Sequence, residues 1–192
     1  MPTQDIIWYS AYILVLIGMS GYGLHRLIIV YLYWKNVRNR PEPRAHFDEL
    51  PVVTVQLPMY NEMFVVDRLL ESVAALDYPK EKLEIQILDD STDGTTELCM
   101  KKAEELRSRG YDAVCLHRTD RTGFKAGALE EATQVAKGDF LFILDADFQP
   151  HSDVLMKQIH YFTDDKVGLV QTRWEHINRN YNLLTRVQAL FL

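Results

Sequence analysis

Two aspartates leave an apolar run together. Phe140 to Leu144 reads FLFIL, and Asp145-Ala146-Asp147 follows directly. Two carboxylates two residues apart at a strand end can face one hard cation, and Mg²⁺ or Mn²⁺ prefer such oxygens and complete their shell with phosphate. A second acidic pair, Asp89-Asp90, ends the run ILDDSTDG. A carboxylate there can accept hydrogen bonds from a nucleobase or a ribose, while Ser91, Thr92 or Asp93 can cap the next helix. A third junction reads Leu57-Pro58-Met59-Tyr60-Asn61-Glu62. Tyr60 offers a face for stacking a base and Glu62 an acceptor. Lys125 stands in GFKAGAL, where Gly123, Ala126 and Gly127 leave room for a ligand near the backbone. A lysine there can meet a diphosphate as a point charge, helped by a helix N-terminus. His117, Arg118 and Arg121, just upstream, read as a solvated basic turn. In Gln171-Thr172-Arg173-Trp174, Arg173 can pair a phosphate, and Trp174 can stack on a sugar or fill a core.

The elements that must hold these groups recur at about 30 residues, the period of βαβ units. Strands are expected at 52–57, 83–88, 113–116, 140–144 and 167–171, and helices at 61–76, 92–109, 124–136 and 151–162. The pattern predicts an open, mostly parallel α/β sheet with helices on both faces. Ligands bind such sheets at the carboxyl ends of the strands. Tyr60 and Glu62, Asp89 and Asp90, and Asp145 and Asp147 all stand at such ends. FILDADF also looks like the motif of phosphatases with an aspartyl nucleophile. Those carry it on the first strand rather than the fourth, without the Phe148-Gln149 found here.

The 192 residues are 47% hydrophobic and 25% charged with net charge −6, values of a folded chain that exclude a duplex nucleic-acid binder. Cys99 and Cys115 have no metal-like spacing and make no disulfide framework. Mean hydropathy is −0.16, but the apolar residues are concentrated near the start. Residues 6–24 read IIWYSAYILVLIGMSGYGL, without Lys, Arg, Asp or Glu. About 20 apolar residues cross the hydrocarbon of a bilayer. Arg26 then falls near the interface, where its stem can snorkel, and LIIVYLYW carries the helix to Trp34 in the headgroup region. A cleaved signal peptide would want a charged start and a small-residue cleavage site. Only Asp5 is charged before the segment, whereas Arg26, Lys35, Arg38, Arg40 and Arg44 follow it. The positive-inside rule puts the C-terminal side in the cytoplasm. The expected organisation is an extracytoplasmic tail (1–5), a single spanning helix with its interfacial continuation (6–34), a basic, proline-containing linker (35–50) and a catalytic-type domain (51–192) at the inner or plasma membrane.

VQLPMYNE, LDDSTD, GFKAGAL, DADFQP and LVQTRW, in this order, resemble the processive inverting glycosyltransferases of family 2. Within these the sequence is most similar to the glucomannan 4-β-mannosyltransferases of the cellulose synthase-like group, from about Pro51 onward. The resemblance implies a GT-A fold, a nucleotide-sugar donor such as UDP-glucose or GDP-mannose, a β-glycan acceptor and Mg²⁺ or Mn²⁺. Carried over by motif, Pro58, Tyr60, Glu62, Asp89, Asp90, Lys125 and Asp145 hold the nucleotide sugar. Asp145 and Asp147 hold the metal, with Asp147 the more direct ligand. Family members continue further, with a T-E-D aspartate as general base, a Q-x-x-R-W helix and more membrane helices. A general base contributes about 10²–10⁴-fold. The resemblance therefore implies that this chain has the C-terminal part of the fold missing and is inactive alone. It would be a fragment, a truncated reading frame or one part of a split enzyme, and it can pair with a full-length synthase.

Overall fold

The computed structural model describes residues 3–39, 41–173 and 175–189. The chain divides into two compact units, Met1–Glu42 and Pro43–Leu192. The first is one helix, α1 (Thr3–Asn36), of 34 residues. At 1.5 Å per residue it is about 50 Å long, more than a bilayer's hydrocarbon needs. By length and composition it is apolar enough to cross a membrane. The Arg26 Nη2 donates to the Tyr22 hydroxyl one turn earlier at 2.7 Å, so the cation is held against the helix rather than left bare.

The second unit runs β1 (Val53–Met59), α2 (Val66–Ala74), β2 (Leu83–Asp89), α3 (Thr95–Ser108), β3 (Asp112–His117), α4 (Phe124–Thr133), β4 (Phe140–Ile143), α5 (Val154–Ile159) and α6 (Leu183–Gln188). The sheet order is β3-β2-β1-β4, every pairing parallel. Side chains alternate across such a sheet. Val53, Val55 and Leu57 of β1 and Leu83, Ile85 and Ile87 of β2 share a buried cluster with Leu69, Leu70 and Val73 of α2 and Cys99, Ala103 and Leu106 of α3. On the opposite face Leu88 packs with Ala128 and Ala132 of α4. That face also buries polar groups, which pair with one another except at Gln56 Oε1, for which no partner stands among the described residues. Thr54 donates to Glu84 Oε2 at 2.6 Å, the Lys137 amide to the same oxygen at 2.8 Å, and Gln56 Nε2 to Gln86 Oε1 at 3.0 Å.

The fold is the expected open parallel α/β sheet, with these differences. The strands run on to Met59, Asp89 and His117, so three strand ends lie further along than the apolar runs suggest. The helix expected from residue 61 begins at Val66, because Asn61 adopts φ +56° and bonds across to the β2 end instead. The helix expected from residue 92 begins at Thr95, whose amide donates to Asp93 Oδ1 at 2.9 Å. The one expected over 124–136 ends at Thr133, and 151–162 becomes α5 followed by a 3₁₀ turn, His160–Thr163. The strand expected at 167–171 does not form. A strand needs a ladder partner, and this segment has none among the described residues, although Val170 lies beside Phe140 and Phe142 at the edge strand β4.

Candidate functional site

The parallel register brings the ends of β1, β2 and β4 to one side of the sheet, as the topology rule requires. They enclose a cavity of about 370 Å³. From β1 and the residues after it come Pro58, Met59, Tyr60 and Glu62; from β2 and just beyond it, Leu88 and Asp90; from the turn before α4 and α4 itself, Arg121, Lys125 and Ala128; and from beyond β4, Asp145, Ala146 and Asp147. Of the expected donor-site residues, all but Asp89 line this one space.

Asp89 points the other way and is fully buried. Its carboxylate accepts from the Ser91 amide at 3.1 Å, the Thr96 hydroxyl at 2.7 Å and His117 Nδ1 at 2.7 Å. Burial opposes ionisation, but these hydrogen bonds outweigh it, and the carboxyl lies below its ordinary range. Alternation along the chain explains the split, since neighbours in a strand face opposite sides. Asp89 is thus a strut of the corner rather than a wall of the cavity.

Asp90 is held from behind. Arg118 Nε donates to Oδ1 at 2.8 Å and Nη2 to Oδ2 at 2.7 Å, a two-pronged guanidinium–carboxylate pair. Arg118 Nη1 also meets Glu131 at 2.9 Å, and its pairing, first with Asp90, pushes the guanidinium above its already high range. The Arg121 guanidinium lies 3.3 Å from the centre of the Tyr60 ring, and its Nε is 4.0 Å from Asp90 Oδ2 with no hydrogen-bond partner among the described residues. One face of Tyr60 is therefore covered by a cation, which leaves the other for stacking. His117, Arg118 and Arg121 do not form a solvated basic turn: the first two are tied to the aspartates of β2, and the third roofs Tyr60. The missed signal was the strand end. With β3 running to His117, the rule applied to the other strands marks these residues as well.

Lys125 pairs with Asp145 across the cavity, both half-exposed, and Asp147 beside them is exposed. The small residues around the lysine serve the turn itself. Gly123 has φ +74°, which favours glycine, and a Cβ on Gly127 would come within 2.2 Å of the Thr122 carbonyl. The room at Gly127 is filled by the protein's own backbone, not kept for a ligand. Gln171, Thr172 and Arg173 are exposed and do not line the cavity, and Trp174 lies outside the described residues.

Asp145 and Asp147 present hard oxygens on the same wall, the donor type that Mg²⁺ and Mn²⁺ take. Among the described residues no third His, Cys, Asp or Glu joins them in a ligating group. Such a pair fits a divalent ion whose remaining positions fall to water and phosphate oxygens.

The fold is an open parallel α/β domain with an acidic cavity at its strand ends, and sequence comparison gives the family. The glycosyl transferase family 2 profile matches residues 54–191, and the chain belongs to that family. It is 43% identical over 182 residues to a probable glucomannan 4-beta-mannosyltransferase 2 of Oryza sativa subsp. japonica, covering 91% of this chain and 30% of that protein. Its structure is similar to that of the mannosyltransferase PcManGT from Pyrobaculum calidifontis, solved in complex with GDP-Man and Mn²⁺. The TM-score is 0.67 at 32% identity, over 80% of this chain and 45% of that one. The chain thus spans under half the length of either relative, and the resemblance read from its motifs holds.

Proposed function

We propose that this chain is the donor-binding portion of a membrane-anchored inverting glycosyltransferase. It would take a hexose from a nucleotide sugar, UDP-glucose or GDP-mannose, for transfer to a β-glycan. The observation that carries the reading is the single cavity that gathers Asp90, Lys125, Asp145 and Asp147 from separate stretches of chain. The mannosyltransferase relatives favour GDP-mannose of the two donors.

In this reading Asp90 accepts an N–H of the base, the open face of Tyr60 stacks on its ring, and Glu62 and Pro58 border the nucleotide. Lys125 exchanges Asp145 for the diphosphate, a trade that costs little because the pair is half-exposed. Asp145 and Asp147 would hold Mg²⁺ or Mn²⁺, which when bound offsets the charge of the leaving diphosphate. Inversion requires the acceptor hydroxyl to attack the anomeric carbon from the face opposite the diphosphate. The helix α1 anchors the domain, with Lys35, Arg38 and Arg44 on the cytoplasmic side; Arg40 lies outside the described residues. The proposed division is a tail (1–5), spanning helix (6–34), linker (35–50) and partial GT-A domain (51–192).

Calorimetry on the full chain in detergent tests the reading. UDP or GDP is expected to bind in the presence of Mn²⁺ or Mg²⁺ and to lose affinity on adding a chelator. Folded protein that gives no heat with either nucleotide would overturn it. A second reading, pairing with a full-length synthase, is favoured by Leu141 and Ile143 on the edge strand β4, which are 40% and 47% exposed. Co-purification with such a synthase is its test.

A further inference from the structure

Arg118 reaches both Asp90 after β2 and the turn before α4 with its side chain. Its amide donates to the Asp89 carbonyl at 3.0 Å, and the Asp90 amide to the Met59 carbonyl at 3.1 Å, so the sheet fixes both backbones before the side chains meet. The side chains are then nearly out of water, at 10% and 5% exposure. The guanidinium takes Asp90 with Nε and Nη2, and also reaches the Phe124 carbonyl at 3.1 Å and the Thr122 carbonyl at 3.4 Å. Those carbonyls belong to the turn that presents Lys125. Glu131 holds the outer edge of the fork. Lysine, with one point of charge, cannot make this set.

We propose that Arg118 is a positioning residue that fixes the base preference of the site, holding the Asp90 carboxylate in one orientation and tying it to the Lys125 turn. The inference rests on the donor-binding reading above. An ionised carboxylate has no proton to give. Uracil and guanine carry a ring N–H on their pairing edge, whereas cytosine and adenine carry a bare ring nitrogen there. Against Asp90 the second kind could donate only its exocyclic amino N–H and would set its bare ring nitrogen beside a carboxylate oxygen, and mismatched polar groups in a confined site are what gives it selectivity. The ligand class is therefore a uracil or guanine nucleoside diphosphate, and Arg118 is the residue that enforces the choice without touching the base.

The test is calorimetry on the full chain with Mn²⁺ and UDP, GDP or CDP. The better of UDP and GDP is expected to bind about tenfold or more tighter than CDP. In Arg118→Lys that margin is expected to shrink to about threefold or less. The double variant Arg118→Lys with Asp90→Asn should bind no more weakly than Asp90→Asn alone, because one residue acts through the other. An unchanged margin in Arg118→Lys, or losses that simply add, would overturn the proposal. Should that variant fail to fold, Glu131→Gln loosens the fork from outside. It is expected to narrow the margin about twofold, and no change would likewise count against the role. Wild-type protein that binds neither UDP nor GDP would remove the donor-binding reading itself, and with it this inference.

Discussion

The ends of β2 and β4 each carry two aspartates, yet they behave differently. At β2 both carboxylates are buried and every partner is supplied by the chain: Ser91, Thr96 and His117 for Asp89, Arg118 for Asp90. At β4 the pair faces the cavity, with Lys125 on Asp145 and Asp147 exposed. Sheet order explains the contrast. β2 is flanked by β1 and β3, and β3 ends in His117 followed by Arg118, which lie within reach of its carboxylates. β4 is an edge strand with β1 alone beside it, so no neighbouring strand end supplies cations. The β2 pair is consequently preorganised, and the β4 pair is the more exposed of the two.

That contrast is broken most sharply at Asp89. Asp89→Asn leaves hydrogen-bond donors facing an amide in a buried corner, and is expected to cost about 3 kcal/mol of stability. Thermal unfolding of the full chain measures it. Because the folded carboxyl lies below its unfolded value of about 3.9, its contribution is complete above that pH and fades as the pH falls through the folded value. Asp89→Asn should therefore flatten acid unfolding in that window. At β4 the opposite is expected. Asp147→Asn should leave unfolding within about 0.5 kcal/mol of wild type, since the residue is exposed. It should weaken Mn²⁺-dependent nucleotide binding about 100-fold by calorimetry. A large stability loss at Asp147, or a large binding loss with intact folding at Asp89, would reverse the assignment of roles.

How much of this could be read beforehand follows from the same geometry. Apolar runs gave four strands, and the acidic residues after them gave most of the cavity wall, because both are local in sequence. Which carboxylate is buried depends on the strand that lies next to it, which is a long-range property. The basic residues after β3 looked solvated only because that strand was expected to stop at residue 116. With its end at His117, Arg118 and Arg121 fall at the site. Residues 167–171 have strand-like composition, but pairing is a property of two segments, and no second segment pairs with them among the described residues. The late start of α2 has a similar cause. Asn61 donates its amide to Ser91 and accepts from the Thr92 amide at 2.9 Å each, contacts 30 residues or more away that no local pattern contains.

The turn between the two ends offers an intermediate perturbation. Gly127→Ala places a methyl 2.2 Å from the Thr122 carbonyl and 3.1 Å from Arg118 Nη1, so backbone must shift. A cost of about 2 kcal/mol in unfolding is expected, typical of overpacking a tight site. Nucleotide binding should fall with it, because the same turn carries Lys125. If Gly127→Ala unfolds normally but binds poorly, the glycine serves the ligand rather than the turn.

Lys125 gives the smallest effect and the finest discrimination. Its ion pair with Asp145 is half-exposed, and such pairs contribute about 0–1 kcal/mol, so Lys125→Gln should unfold almost as wild type. A diphosphate replaces one carboxylate with a denser charge, so the same substitution should weaken UDP or GDP about tenfold. The free nucleoside, which lacks phosphate, should be insensitive to it. At Asp90 the order inverts, since Asp90→Asn should weaken nucleoside and nucleoside diphosphate by the same factor. Equal sensitivity of nucleoside and diphosphate to Lys125→Gln would mean that the lysine acts through the fold of its turn, and that the β4 end is built in the same closed manner as β2.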